Sequence, residues 1–138
     1  FQKKLKAAME LLSMDESYAD RDLNVGFSGG EKKRAEILQL LMLSPKLALL
    51  DETDSGLDVD AVQIVSQGVA RFQQENPESS VLIITHNAKI LEKLKVDQVH
   101  VLMEGQVIEE GGPELIEEIN ERGFAHLLDD EAAASAEK

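Results

Sequence analysis

The chain contains no cysteine among its 138 residues. This absence excludes a disulfide framework and any redox chemistry or cluster ligation by cysteines of the chain itself. Long apolar runs are also absent, because no stretch approaches the roughly 20 apolar residues that a membrane helix needs. Positive charge is scarce, with 14 Lys and Arg against 27 Asp and Glu and a net charge of −13. We therefore expect no direct membrane insertion and no nucleic-acid partner, since phosphate contacts need a basic surface.

Two further absences concern the start of the chain and its motifs. The first residue is Phe1 rather than Met, and no secretory signal pattern follows it. The sequence Gly-x-x-x-x-Gly-Lys-Ser/Thr, a loop that holds nucleotide phosphates, occurs nowhere. We therefore expect the chain to be a piece of a longer protein or a processed product. The histidines are dispersed, so a zinc site is not expected, and His100 and His126 have no functional context.

The spacing of apolar residues predicts an α/β fold with a mainly parallel sheet flanked by helices. Short apolar runs at 47–50 and 81–84 are typical of strands buried on both faces, and a helix lies between them, as in a parallel crossover. We expect one domain over residues 1–128 and a disordered tail over 129–138. The other predicted elements are helices over 3–12, 28–43, 59–74, 88–94 and 113–121, a loop over 15–24, and a β-hairpin of 99–103 with 106–108.

Two carboxylates, Asp51 and Glu52, end the first predicted strand. Parallel sheets bind ligands at this carboxyl edge. One carboxylate can hold Mg²⁺ while the other polarises water for attack on a phosphoryl group. A solvated strand end would look the same, so the pair is informative only in combination with other motifs.

The turn Ser28-Gly29-Gly30 precedes a predicted helix, and Glu31 completes a capping box with Ser28. Backbone N–H groups and the positive helix end make such a turn suited to a phosphate. A well-capped helix without a ligand is the alternative. Similarly, Asp58 could simply cap the helix that begins at Val59.

His86 follows the second predicted strand after Thr85. Its imidazole should therefore emerge at the same sheet edge as Glu52. A histidine there can donate a hydrogen bond to a phosphate oxygen or orient water. A single histidine after a strand is more often structural or solvated.

In this order and spacing, the four elements resemble the motifs of the ABC-type ATPases. The resemblance extends from about residue 20 to residue 128 and implies the carboxyl-terminal part of such an ATPase domain. Phe27–Glu31 resembles the signature motif, Leu47–Glu52 the Walker B strand, Ser55–Asp58 the D-loop, and His86 the switch histidine.

Finer residues resemble one subfamily. Typical transporter ATPases have Gln in place of Glu31 and Pro-Thr in place of Thr53-Asp54. The segments 21–34, 51–58 and 99–108 are closely similar to the SufC-type ATPases of iron–sulfur cluster assembly, and the ending around Gly123-Phe124 fits them too.

The resemblance implies ATP and Mg²⁺ as cofactors and assigns roles by position. Asp51 would hold Mg²⁺, largely through water, Glu52 would be the catalytic base, and His86 would contact the γ-phosphate. Contacts to a nucleotide on a second subunit would come from the signature turn, and Asp58 would couple the two sites. The signature residues concerned are Ser28, Gly29, Gly30 and Glu31.

The implied partners are SufB/SufD-like scaffold proteins and a second ATPase subunit in a transient homodimer. The implied location is the cytoplasm, or the plastid stroma in a eukaryote. Without the phosphate-binding loop, we expect the chain alone neither to bind ATP tightly nor to hydrolyse it. We also expect an exposed sheet edge and apolar face.

Two other functions remain open at this point. The chain could derive from the ATPase of a membrane transporter, which would associate with membrane subunits. It could also be a non-catalytic module that donates only its signature surface to a partner. Glu52 and His86 argue against the module, since binding alone needs no base, whereas the missing phosphate-binding loop argues for it.

Overall fold

The computed structural model describes residues 1–23 and 25–124. Contacts divide the chain into two units, Phe1–Lys95 and Val96–Lys138. The predicted tail 129–138 and His126 lie outside the described residues, and the extent 1–128 stays a prediction. The helices are α1 (Gln2–Leu11), α2 (Gly29–Leu43), α3 (Val59–Glu75) and α4 (Glu114–Arg122); the strands are β1 (Leu47–Asp51), β2 (Ser80–Ile84), β3 (Val99–Met103) and β4 (Gln106–Gly111). None of these helices is long and apolar enough to cross a membrane.

In the first unit, β1 and β2 pair in parallel, as the sequence predicts. The register runs from Leu47 opposite Ser80 to Asp51 opposite Ile84, so both strands end at the same sheet edge. Between them, α3 begins at Val59, where Asp58 caps it, and ends before Asn76-Pro77. The crossover therefore has the length and composition of a parallel strand–helix–strand unit.

The core of this unit lies between α1, α2 and α3 and one face of the sheet. Fully buried side chains come from all three helices and from Leu12 directly after α1; those of the helices include Met9, Ile37, Val65, Val69 and Phe72. Val65, Val69 and Phe72 follow one another at helical spacing, which turns one face of α3 toward the core. The helices are thus fixed to the sheet by apolar burial.

The prediction that both strands are buried on both faces is wrong. Along each strand, alternate side chains are exposed: Leu47 by 58%, Leu49 by 68%, Leu82 by 53% and Ile84 by 54%. Their neighbours Ala48, Leu50, Val81 and Ile83 pack into the core. The described helices of this unit cover only one sheet face, so the strand alternation leaves the other face in solvent. The expected exposed apolar face is therefore present.

Two short segments also differ from prediction. The predicted loop over 15–24 contains a 3-10 helix, Glu16–Asp20, which begins where the Asp15 side chain accepts a hydrogen bond from the Ser17 N–H at 2.9 Å. The predicted helix over 88–94 is a shorter 3-10 helix, Ala88–Leu91. Ile90 anchors it in the core with no exposed surface. Leu91 and Leu94 also pack against this core while partly exposed, and the helix is a single 3-10 turn of the kind that commonly connects longer elements.

The second unit contains the predicted hairpin and helix. β3 and β4 pair antiparallel, with a register shift between Val101 and Leu102. The turn residues Glu104 and Gly105 have φ values of 50° and 80°. Positive φ at both central positions is the requirement of a tight hairpin turn whose twist matches the strands. Leu115 of α4 and Val101 of β3 form a small apolar cluster in this unit.

Gly68 in α3 has no room for a side chain. A Cβ atom there would lie 2.4 Å from Ile37 Cγ2 and 2.9 Å from Leu12 Cδ2. We expect Gly68→Ala to destabilise the protein by about 1–3 kcal/mol through overpacking, despite the better helix propensity of Ala. Urea unfolding followed by circular dichroism measures the change.

The control is Gln67→Ala, which alters an exposed neighbour in the same helix and should stay within about 0.5 kcal/mol. A Gly68→Ala protein as stable as the unsubstituted protein would contradict the close approach of α3 to α1 and α2.

Candidate functional site

The strand register brings Glu52 and His86 together. Asp51 and Ile84 are opposite each other at the strand ends, and the Glu52 N–H donates a hydrogen bond to the Ile84 carbonyl at 2.8 Å. Beyond this bond, the His86 Nδ1 lies 3.5 Å from Glu52 Oε1. This is ion-pair distance when the imidazole is protonated. The expectation that both side chains share one sheet edge is thus met.

Both side chains of this pair are open to solvent, at 53% for Glu52 and 71% for His86. Asp51, the last residue of β1, is exposed beside them. The backbone of Glu52 has φ = 46°, in the left-handed region that non-glycine residues rarely adopt. Such strain is held by surrounding structure and is concentrated at functional sites. The edge therefore presents two carboxylates and an imidazole to any ligand that approaches it.

The amino terminus of α2 is closed by the predicted capping box. Glu31 Oε2 accepts a hydrogen bond from the Ser28 N–H at 2.7 Å, and Ser28 Oγ accepts one from the Glu31 N–H at 3.3 Å. Gly29 and Gly30 form the first helical residues. A Cβ atom at Gly29 would contact nothing within 4 Å, so this backbone borders open space. A ligand can therefore approach the first turn of α2 closely.

Glu31 is held from its other side by an aromatic cluster. The Tyr18 hydroxyl donates a short hydrogen bond to Glu31 Oε1. The Tyr18 ring meets Phe27 edge-on at 4.8 Å between centroids, and the Arg21 guanidinium lies 4.3 Å from the centre of the Tyr18 ring. These bonds, first that from Tyr18 and then those from Ser28, lower the pKa of Glu31 to about 2 and fix its carboxylate as an anion. The same bond raises the pKa of Tyr18.

A second helix amino terminus lies beside the first. Asp58 caps α3, with its Oδ1 accepting a hydrogen bond from the Ala61 N–H at 2.8 Å. A depression of about 360 Å³ joins the two helix ends. Its lining includes Ser28, Gly30, Glu31, Gly56, Leu57 and Asp58. The signature-like turn and the D-loop-like segment, separate in sequence, therefore share one polar surface.

The site residues predicted from sequence thus form two groups. Asp51, Glu52 and His86 form the strand-edge group; Ser28, Gly29, Gly30, Glu31 and Asp58 form the helix-end group. The depression at the helix ends is not lined by any member of the strand-edge group. In the part of the chain that the structure describes, no three His, Cys, Asp or Glu side chains are arranged to hold a metal ion by themselves.

Several polar residues that support these groups escape sequence reasoning. Tyr18 and Arg21 fall in the segment predicted as loop. Asp54 is noted from the sequence only as a difference from transporter ATPases, and Thr85 only as the residue before His86. Tyr18 is the only tyrosine of the chain, and an aromatic residue with a polar tip usually finds a partner when packed. The sequence therefore indicates that the Tyr18 hydroxyl has a hydrogen-bond partner, without indicating which residue it is. The burial of Asp54, by contrast, depends on contacts with residues distant in sequence, and no local sequence pattern predicts it.

Three comparisons with known proteins point to the same family. The family model described as ABC transporter matches residues 1–55. Over 124 residues, the chain is 49% identical to "Vegetative protein 296" of Bacillus subtilis (strain 168), covering 90% of this chain and 47% of that protein. It is also 49% identical over 127 residues to a "Probable ABC transporter ATP-binding protein" of Streptococcus pyogenes serotype M3, covering 92% of this chain and 49% of that protein.

The chain thus spans about half the length of the curated relatives it matches. Its fold is similar to a crystal structure of an ATP-binding cassette of an ABC transporter in the ADP conformation. The TM-score is 0.65 at 25% identity, over 91% of this chain and 48% of that chain. The similarity in fold therefore covers nearly all of this chain and half of a cassette.

The pKa of Glu31 should depend on Tyr18. Tyr18→Phe keeps the ring but removes the largest cause of the low value, so we expect the pKa to rise from about 2 toward the ordinary 4.5. A carboxyl whose pKa is lowered by folding stabilises the fold above its unfolded pKa. That stabilisation is lost as the pH falls through the folded pKa, here between about pH 4.5 and 2. Carbon-13 NMR of the Glu31 carboxyl against pH measures the change.

The variant should consequently have a smaller Glu31 contribution to stability above about pH 4.5, and that smaller contribution should be fully lost at a higher pH than in the unsubstituted protein. A Glu31 pKa that stays near 2 in Tyr18→Phe would show that Ser28 alone holds the carboxylate, and it would contradict this assignment.

Proposed function

We infer that the chain is part of an ABC-type ATPase domain, an inference that its fold and its relatives support. We propose that its parent protein hydrolyses ATP to drive iron–sulfur cluster assembly on a soluble scaffold. The observation that carries the ATPase is the approach of His86 to within 3.5 Å of Glu52 at the shared strand edge. In this proposal, Glu52 takes the proton of the attacking water. His86 donates a hydrogen bond to an oxygen of the γ-phosphate, where negative charge accumulates in the reaction.

Mg²⁺ fits the donor set at this edge. The ion usually takes one or two protein carboxylates and completes its shell with waters and substrate phosphates. The adjacent, exposed carboxylates Asp51 and Glu52 meet that requirement, although the described residues hold no complete metal cage of their own. Asp51 would hold the ion, largely through water. When bound, the ion neutralises charge on the phosphates.

The helix-end group would serve a nucleotide bound to a second ATPase subunit. Two helix amino termini direct their positive dipole ends toward one depression, and Arg34 also lines it. These positive groups favour a phosphate anion there and oppose the repulsion from the Glu31 and Asp58 carboxylates. Ser28, Gly29 and Gly30 would contact that phosphate, and Glu31 would hold the turn in shape. Asp58, at the other wall, would couple the two subunits. The separation of this group from the strand-edge group is consistent with service to two different nucleotides.

Two residue choices support the cluster-assembly role over transport. Glu31 and Asp54 stand where typical transporter ATPases have other residues, and both enter hydrogen-bond networks here. Glu31 accepts hydrogen bonds from Tyr18 and Ser28, and Asp54 accepts them from Thr85. The partners would be SufB/SufD-like scaffold proteins. The location would be the cytoplasm, or the plastid stroma in a eukaryote.

A membrane-transporter ATPase is the second candidate, and a specific observation favours it. The Streptococcus relative is named a probable ABC transporter ATP-binding protein, and the matching cassette structure also belongs to an ABC transporter. These names support transport about as well as the residue choices support cluster assembly. A non-catalytic module is a weaker candidate, because it would need neither Glu52 nor His86.

The isolated 138 residues should be inactive in either case. They contain no phosphate-binding loop, and that loop supplies the backbone N–H nest and the Lys that hold the phosphates. The exposed apolar face of the β1–β2 sheet would be covered by other elements packed onto it in the parent domain. We therefore place the activity in the complete protein.

Glu52→Gln tests the proposed base in that complete protein. The change keeps size and hydrogen bonding but removes the proton acceptor. We expect kcat for ATP hydrolysis to fall by about 10²–10⁴ while ATP still binds. Steady-state phosphate release and nucleotide titration measure the two quantities.

The matched control is Glu78→Gln, at an exposed turn after α3, which should leave kcat unchanged. Full hydrolysis by the Glu52→Gln protein would remove Glu52 from the mechanism.

Partner capture separates the two main candidates. The tagged complete protein is purified in parallel from soluble extract and from detergent-solubilised membranes, and its bound proteins are identified by mass spectrometry. We expect stoichiometric recovery with SufB/SufD-like scaffold proteins from the soluble extract. Stoichiometric recovery with membrane-spanning subunits instead would establish the transporter alternative.

A further inference from the structure

Asp54 is a buried carboxylate two residues beyond Glu52. It is 4% exposed, and its neighbour Thr53 is 1% exposed, so this segment turns inward directly after the exposed Glu52. Both oxygens of Asp54 accept from the Thr85 hydroxyl, at 3.0 and 2.9 Å. Thr85 directly precedes His86. The segment after β1 and the segment after β2 are therefore joined by a side-chain bond below the exposed Glu52 and His86.

The Thr85 hydroxyl also acts on the other side of His86. Its Oγ1 accepts a hydrogen bond from the Asn87 N–H at 2.9 Å. The Thr85 hydroxyl is thus bonded both to the Asn87 backbone, which follows His86, and to the Asp54 carboxylate. The Asn87 side chain continues the connection by accepting from the Lys89 N–H at 3.2 Å, which caps the following 3-10 helix.

The relative strength of these interactions indicates which of them sets the geometry. Glu52 and His86 are more than half exposed, and an ion pair exposed in this way contributes little to stability. Such a pair cannot fix its own arrangement against solvent. A hydrogen bond from a hydroxyl to a buried carboxyl group is electrostatically stronger than the same bond in water, because the surrounding dielectric constant is low. Leaving that carboxylate without its donor also carries a desolvation penalty.

The geometry points to Asp54 and Thr85 as positioning residues that hold His86 against Glu52 from beneath the site. Neither touches the reacting atoms; they act through the backbone on both sides of His86. The consequence for catalysis rests on the proposed ATPase function, whereas the consequence for His86 geometry does not.

The test uses the complete protein with Thr85→Val, Thr85→Ser and Asp54→Asn. Thr85→Val keeps the shape and removes the hydroxyl. We expect it to lower kcat for ATP hydrolysis by about 10–100-fold with KM nearly unchanged, because small misplacement of a catalytic group has effects of this size. Thr85→Ser restores the hydroxyl and should recover most of kcat. Asp54→Asn keeps a weaker acceptor for the Thr85 hydroxyl, and its kcat should lie between those of Thr85→Val and Thr85→Ser.

A direct readout of geometry accompanies the kinetics. NMR of the protein with labelled His and Glu measures the cross-relaxation between the His86 ring and the Glu52 side chain. We expect this signal to be lost in Thr85→Val and retained in Thr85→Ser. The control is Ser66→Ala, which removes another buried hydroxyl, one that bonds the Ile90 carbonyl at 2.7 Å. It should lower the melting temperature without changing kcat or the His86 signal.

The outcomes separate the inference from the proposed function. A Thr85→Val protein that loses only thermal stability, like Ser66→Ala, and keeps kcat and the His86–Glu52 signal would overturn the inference. An unsubstituted complete protein that hydrolyses no ATP would instead overturn the proposed function. In that case the NMR comparison alone still decides whether Asp54 and Thr85 hold His86.

Discussion

The parallel register between β1 and β2 is the constraint on which the candidate site depends. With Asp51 opposite Ile84, both strands end at one edge, and the Glu52 N–H extends the pairing by one more bond. A slip of one residue would turn the side chains of a strand to the opposite face. The buried alternation of Ala48, Leu50, Val81 and Ile83 prevents that slip. Apolar packing far from the edge therefore determines which polar groups meet there.

The sequence predicts local features of this protein well, because their causes are local. The capping box needs only Ser28 and Glu31, and the hairpin turn is indicated by Gly105, which adopts positive φ without steric cost. The length of the crossover helix allows β1 and β2 to pair in parallel, so the sequence predicts that Glu52 and His86 lie at one sheet edge. The register that brings them together depends on the apolar packing described above.

Other features depend on distant contacts and could not be predicted. The apolar runs of β1 and β2 do not say whether one or both faces are covered, so Leu49 and Leu82 were wrongly expected to be buried. The segment around Tyr18 has no apolar period, yet its ring reaches Glu31, 13 residues later in the chain. Asp54 and Thr85 are 31 residues apart and meet only once the sheet has formed. In each case the deciding partner is remote in sequence.

We propose that these residues complete an ATP site without holding the nucleotide by themselves. A calorimetric titration of ATP and Mg²⁺ into the purified 138-residue chain, with the complete protein titrated in parallel, tests this proposal. We expect saturable binding by the complete protein and none by the chain. Micromolar binding by the chain would mean that its own residues hold the phosphates, and the proposal would then be wrong.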